Sequence, residues 1–361
     1  MKWVRLTSLF LISILIISAC GNSEKEETFS GNSDTGEKEL ADKLNIFNWA
    51  DVIPQEVLNE FEEEFGVEVV YSTYSSEQEM MAKIKSGTVP YDVVFPSTGT
   101  FIIMKEQGLL QELDMENIPN FENLSEIWTD RPDDPGDKYS IPVAYGTNGI
   151  IYNTEKIKEK PTSWEDLWDP KYKGHVLVSD DPQELFGMAL QSLGYDIGNP
   201  TEEQVKEAAK KIEDLVPNVL AFDPNPEPQF MSEQAWIGYT VCAGASVAHI
   251  QGFEKLDCVL PKEGGLKWHT SAVIPNTSKE KYTAEVFLNW YLRPEISLEM
   301  VKSFPYPSPN EEAAKLYTDE MKKLPSLSTT DEDLKKAAPT QPYSSETMEL
   351  MNHLLQEIRS K

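Results

Sequence analysis

The stretch LNIFNWADVIPQEVLNEFEEEFGVEVVY, residues 44–71, decides the fold class. Leu44 to Trp49 reads as a strand, and from Pro54 the residues Val57, Leu58, Phe61 and Phe65 recur at helical spacing on one face. Gly66 stops that helix, and Val67 to Tyr71 is a second strand. The pattern then repeats: SSEQEMMAKIKSG, residues 75–87, is a helix ending at Gly87, and Tyr91 to Phe95 is a buried strand. Strand, helix and strand in succession predict the crossover units of an open α/β sheet. In such sheets ligands lie beyond the carboxyl ends of the strands. The loops at 48–52, 72–75 and 96–100 are therefore the first places to look for a site.

Outward from this unit, the turn-rich Asp133 to Asp137 leads into an extended run, Tyr139 to Thr147, that reads as a crossing between two lobes. SWEDLW, residues 163–168, has Trp164, Leu167 and Trp168 at helical spacing. Val176 to Val178 is a strand, 202–216 an amphipathic helix, and Trp236 to Val241 a further strand. Trp268 to Pro275, after the paired Gly264 and Gly265, reads as a strand returning to the first lobe. The two crossings predict discontinuous lobes, 44–143 with 272–310 and 144–271 with 311–361, and a ligand cleft between them. In SDDPQELFG, residues 179–187, Asp181 is placed to cap a helix, with Pro182 as its first residue and Glu184 as its third. Acids there complement the helix dipole, and the same acids could serve a ligand.

The ends and the charge narrow the class. Residues 1–19 carry Lys2 and Arg5, an apolar run from Leu6 to Ile17, and a small-residue finish before Cys20, which is the pattern of an export signal. Residues 20–43 are polar and acidic; the part after Cys20 is a tether that spans roughly 25 Å as a coil. The net charge of −29, from 32 basic and 61 acidic residues, argues against nucleic acid as a partner and permits a cationic ligand. Beyond Cys20 only Cys242 and Cys258 remain, and outside the cytoplasm they are either a disulfide or two free thiols. The four histidines are scattered, and no metal-ligand spacing occurs. No glycine-flanked nucleophilic serine, His-Glu-x-x-His or phosphate loop is present, so the chain reads as a binding protein without cofactor or metal rather than an enzyme.

The segments YDVVFPST (91–98), YSIPVAYGTNGIIYN (139–153), TSWEDLWDPKYKG (162–174), SDDPQELFGMALQSLGY (179–195), LPKEGGLKWHTSAVIPN (260–276), LRPE (292–295) and YPSPN (306–310), with residues 44–87, resemble the spermidine/putrescine-binding proteins of bacterial ABC importers. Cys20 with its flanks resembles the lipobox of bacterial lipoproteins. The resemblance implies a monomeric, two-lobed periplasmic-binding-protein-like receptor, lipid-anchored on the extracytoplasmic side of the cell membrane. It closes on a putrescine- or spermidine-like cation and delivers it to an ABC permease. By the same resemblance the ligand-binding positions fall on Trp49, Ser97, Thr98, Asp181, Glu184, Trp268, Thr270 and Gln341.

Departures from the family pattern bear on the solute. Ala50, Asp51 and Val52 follow Trp49 where the family has threonine or serine, an acid and a tyrosine; Gly99 replaces a site tyrosine and Val241 a tryptophan. Thr270 replaces the acid that grips an amine. Strand period puts Trp268 and Thr270 on one face and His269 on the other, where it packs or faces the lobe. An ammonium left unpaired in a partly dry cleft costs about 2 to 5 kcal/mol, so these departures point to a polyamine relative. The alternatives on the same scaffold are another amine, a neutral or anionic solute, or a sensor in place of a transport receptor.

Overall fold

The computed structural model describes residues 38–50, 52–223 and 227–360. The export signal, Cys20, most of the tether and Asp51 lie outside the described residues. Glu39 to Lys361 form one compact unit.

β1 (Lys43–Trp49), α1 (Gln55–Phe65) and β2 (Glu68–Tyr74) realise the opening stretch as a parallel crossover, with Leu44 opposite Val69 and Trp49 opposite Tyr74. α1 buries Val57, Leu58 and Phe61 and ends at Gly66, whose φ of 70° lies in the left-handed region that glycine enters without a Cβ clash. α2 (Glu77–Ser86) leads to β3 (Val93–Val94), which is shorter than the sequence pattern suggests. Pro96 has no N–H to donate, and the next amide, of Ser97, goes to the Glu77 carboxylate at 2.7 Å instead of a strand. α3 (Thr98–Glu106) follows at once.

β4 (Ser140–Asn153) is a strand of 14 residues. Beyond it come β5 (Val176–Val178), α4 (Pro182–Ser192), α5 (Glu202–Leu215), β6 (Val219–Phe222), α6 (Glu227–Met231), β7 (Ile237–Val241), α7 (Ala243–Ile250), β8 (Leu256–Val259) and β9 (Leu266–Val273). α8 (Lys281–Tyr291), α9 (Pro294–Ser303), β10 (Ala338–Pro339) and a last helix, Ser345–Arg359, complete the main elements. SWEDLW forms a 3-10 turn, Trp164–Trp168, instead of an α-helix. Its Ser163–Asp166 capping box starts it, and Pro170 prevents it from growing.

The strands join in the order β2-β1-β3-β9-β4-β7-β5-β6, with β10 on β9 and β8 on β4. β4 pairs antiparallel with β9 from Ser140 to Asn148 and with β7 from Asn148 to Tyr152. The apolar side chains gather in separate clusters. Ile46, Phe61, Ile141, Ala272 and Phe287 belong to one, which adjoins a smaller one around Phe47, Tyr74 and Phe101. Ile150, Trp164, Phe186, Tyr239, Leu266 and Leu355 belong to another. β4 and β9 thus each contribute to clusters on both sides. Cys242, at the start of α7, is disulfide-bonded to Cys258 in β8.

Candidate functional site

A cavity of about 450 Å³ opens where the first strands, α4 and β9 meet. Glu184 enters it from the first turn of α4. Asp181 accepts the Glu184 amide at 3.0 Å through Oδ1, and Pro182 follows as the first helical residue, so the helix starts where the sequence places it. Glu184 lines the cavity, whereas Asp181 is exposed beside it and is not among the lining residues.

Burial, and then the nearby Asp181 charge, push the Glu184 carboxyl above its ordinary value, while hydrogen bonds from Ser179 and Asn148 pull it back. Asn148 is the junction of this wall: its Oδ1 accepts from the Trp268 indole Nε1 at 3.0 Å. The Trp268 ring lies directly on Gly146 of β4, where a Cβ would come within 2.3 Å of Cζ2. A glycine is therefore required under the indole. Tyr306 meets Trp268 edge-on, at 4.9 Å between ring centroids. Burial and the Glu227 and Glu184 carboxylates push its phenol up, so it remains a hydroxyl donor.

Opposite, Trp49 lies at the end of β1, tilted against Tyr74 at 4.6 Å. Asn48 is fully buried, and its Oδ1 accepts the Trp49 amide at 2.8 Å. Ser97 and Thr98 line the same wall, but their hydroxyls already serve the scaffold. Ser97 Oγ donates to Glu77 at 2.9 Å, and Thr98 Oγ1 donates to the His269 carbonyl at 3.0 Å and accepts its amide at 2.8 Å. Trp268 and Thr270 both line the cavity, and His269 between them is buried away from it, with Nε2 3.0 Å from Asp133 and Nδ1 2.9 Å from Ser271. Burial lowers the affinity of that imidazole for a second proton.

The structure thus brings Trp49, Ser97, Thr98, Glu184, Trp268 and Thr270 to one cavity. Asp181 stands at its edge through Glu184. Gln341 does not line it; its carbonyl accepts from Gln183 Nε2 of α4 at 3.0 Å. Val52, Gly99 and Val241, the departures from the family pattern, are lining residues, and no atom lies within 4 Å of where a Cβ on Gly99 would stand. Sequence reading passed over Asn148, Tyr291 and Tyr306, and reached Asn48 only as the start of the loop at 48–52. The asparagines adjoin Trp49 and the glycines at 146 and 149, and Tyr306 opens the YPSPN segment, which were the available signals. With the Glu184 carboxylate among indoles and phenols, the cavity can hold an alkylammonium: the acid pairs its charge and the rings cover its methylenes, each cation–ring contact contributing about 0.5 to 2 kcal/mol.

Residues 56–329 match the family described as bacterial extracellular solute-binding protein. The chain is 39% identical over 284 residues to the spermidine/putrescine-binding periplasmic protein of Salmonella typhimurium, covering 78% of this chain and 81% of that one. Among solved structures it is similar to the substrate-binding protein of a Streptococcus pneumoniae spermidine/putrescine ABC transporter, with a TM-score of 0.82, 32% identity, and coverage of 89% of this chain and 99% of that one. A Treponema pallidum lipoprotein is similar at a TM-score of 0.78 and 26% identity, covering 89% and 100%. With more than half its length matched, the chain belongs to the bacterial extracellular solute-binding protein family.

Proposed function

We propose that this protein is the receptor of an ABC importer that captures a polyamine-like cation and hands it to the membrane permease. The observation that carries the reading is the Glu184 carboxylate held at the start of α4 in a cavity walled by Trp49 and Trp268. The Salmonella and Streptococcus relatives, named for spermidine and putrescine, support the solute class. Glu184 receives the ammonium, and the exposed Asp181 adds attraction at the rim. Trp49 and Trp268 cover the chain, Thr270 offers a hydroxyl, and Ser97 and Thr98 shape the wall. Gln341 acts by holding Gln183 on α4.

Capture takes place between lobes made of 44–143 with 272–310 and 144–271 with 311–361, and the split of the apolar clusters supports that division. The receptor faces the extracytoplasmic side on a lipid carried by Cys20, a reading that the Treponema lipoprotein supports. Replacing Cys20 by Ala should move the protein from the membrane to the soluble fraction.

Titration calorimetry with putrescine, spermidine, a neutral sugar and a dicarboxylate tests the solute class. Binding of an amine, and not of the controls, is the expected result. Binding of a control with no amine response would overturn the assignment.

A further inference from the structure

We infer that the cavity is matched to a singly charged amine whose far end carries a neutral hydrogen-bond acceptor, as in a diamine acylated on one nitrogen. The inference rests on the amine reading above and narrows it to a class of amine.

Charge is the first observation. Glu184 is the only carboxylate among the described residues that line the cavity. A free diamine that places one ammonium on Glu184 finds only neutral groups for its second among the described lining residues: hydroxyls such as those of Thr270 and Tyr306, or apolar side chains such as Val143 and Val241. Thr270 supplies a hydroxyl only. Acylation of one nitrogen removes the charge that has no counterpart and leaves the charge that Glu184 pairs.

The second observation is an orphaned donor. Asn48 is fully buried, and its Oδ1 is committed to the Trp49 amide, which fixes the orientation of the side-chain amide. Its Nδ2 then has no hydrogen-bond partner. A buried donor without an acceptor is unfavourable, and native proteins leave few of them. An ammonium cannot satisfy Nδ2, because both are donors; a carbonyl oxygen can. Asn48 stands on β1 and Glu184 on α4, so the donor and the carboxylate come to the cavity from different elements. A ligand with a cation at one end and an amide carbonyl at the other answers both, with the two indoles along the chain between them.

The test is calorimetry on the full chain with putrescine, its mono-N-acetyl derivative and its di-N-acetyl derivative. The mono-acetyl compound should bind at least tenfold more tightly than putrescine, and the uncharged di-acetyl compound should bind more weakly than the mono-acetyl one. Asn48→Asp keeps an oxygen for the Trp49 amide and exchanges the free donor for an acceptor, so it should reverse the order of the first two. If this variant does not fold, the order measured on the unaltered chain decides. Putrescine binding as tightly as its mono-acetyl derivative, or more so, overturns the inference but leaves the amine reading in place. Absence of binding by any of the amines overturns both.

Discussion

Glu184 answers two opposed demands. Under the proposed function solute capture needs it ionised, whereas burial next to Asp181 favours its neutral form and raises its pKa. Across the window from its ordinary value of 4.5 up to that raised value, the folded chain retains a proton that the unfolded chain has released. The group's contribution to the stability of the ligand-free protein therefore declines as pH rises through this window. Cation affinity moves the other way, increasing as the carboxyl ionises. Glu184→Gln should raise the melting temperature of the ligand-free protein above that window and flatten its pH dependence across it. The same variant should lose at least tenfold in amine affinity, because roughly 2 kcal/mol or more is at stake when one partner of a buried charge pair is removed. Melting curves and calorimetry across this pH range check both halves.

The first turn of α4 was legible because a cap is local: the bond from the Glu184 amide to Asp181 spans three residues, and the sequence SDDPQEL contains all of it. Asp181→Ala should cost about 1 kcal/mol of stability, whereas Asp181→Asn should retain most of it. Denaturant titration of the two variants makes the comparison. The cavity wall was less legible, since its bonds join residues far apart in the chain. Trp268 finds Asn148 across 120 positions and Thr98 finds the His269 backbone across 171, separations at which no spacing rule operates. Period alone put Trp268 and Thr270 on one face of β9 and His269 on the other, because alternation along a strand is again local. β3 came out shorter than its apolar pattern suggests, and SWEDLW as a 3-10 turn instead of an α-helix, with prolines at 96 and 170 withholding a backbone donor beyond each.

At the scale of the molecule, β4 and β9 run side by side through the sheet, and each buries residues in apolar clusters on both sides of the cavity. The Cys242–Cys258 disulfide secures the end of β7, next to the lining residue Val241, against β8. It closes a segment with a sequence separation of 16, and a loop of that size contributes about 3 kcal/mol by restricting the unfolded chain. Replacing both cysteines by serine should lower the melting temperature accordingly, and reductant should do the same to the unaltered chain but not to the variant. The two indoles that line the cavity have an optical consequence. Of the eight tryptophans in the chain, Trp164 and Trp290 are enclosed in the core, while Trp49 and Trp268 are half-buried and line the cavity. A solute entering the cavity replaces water at two chromophores whose emission depends on the polarity around the ring. Loading should therefore shift the emission maximum towards the blue without any attached dye, and replacing Trp49 and Trp268 by phenylalanine should leave a chain that still fluoresces but no longer responds.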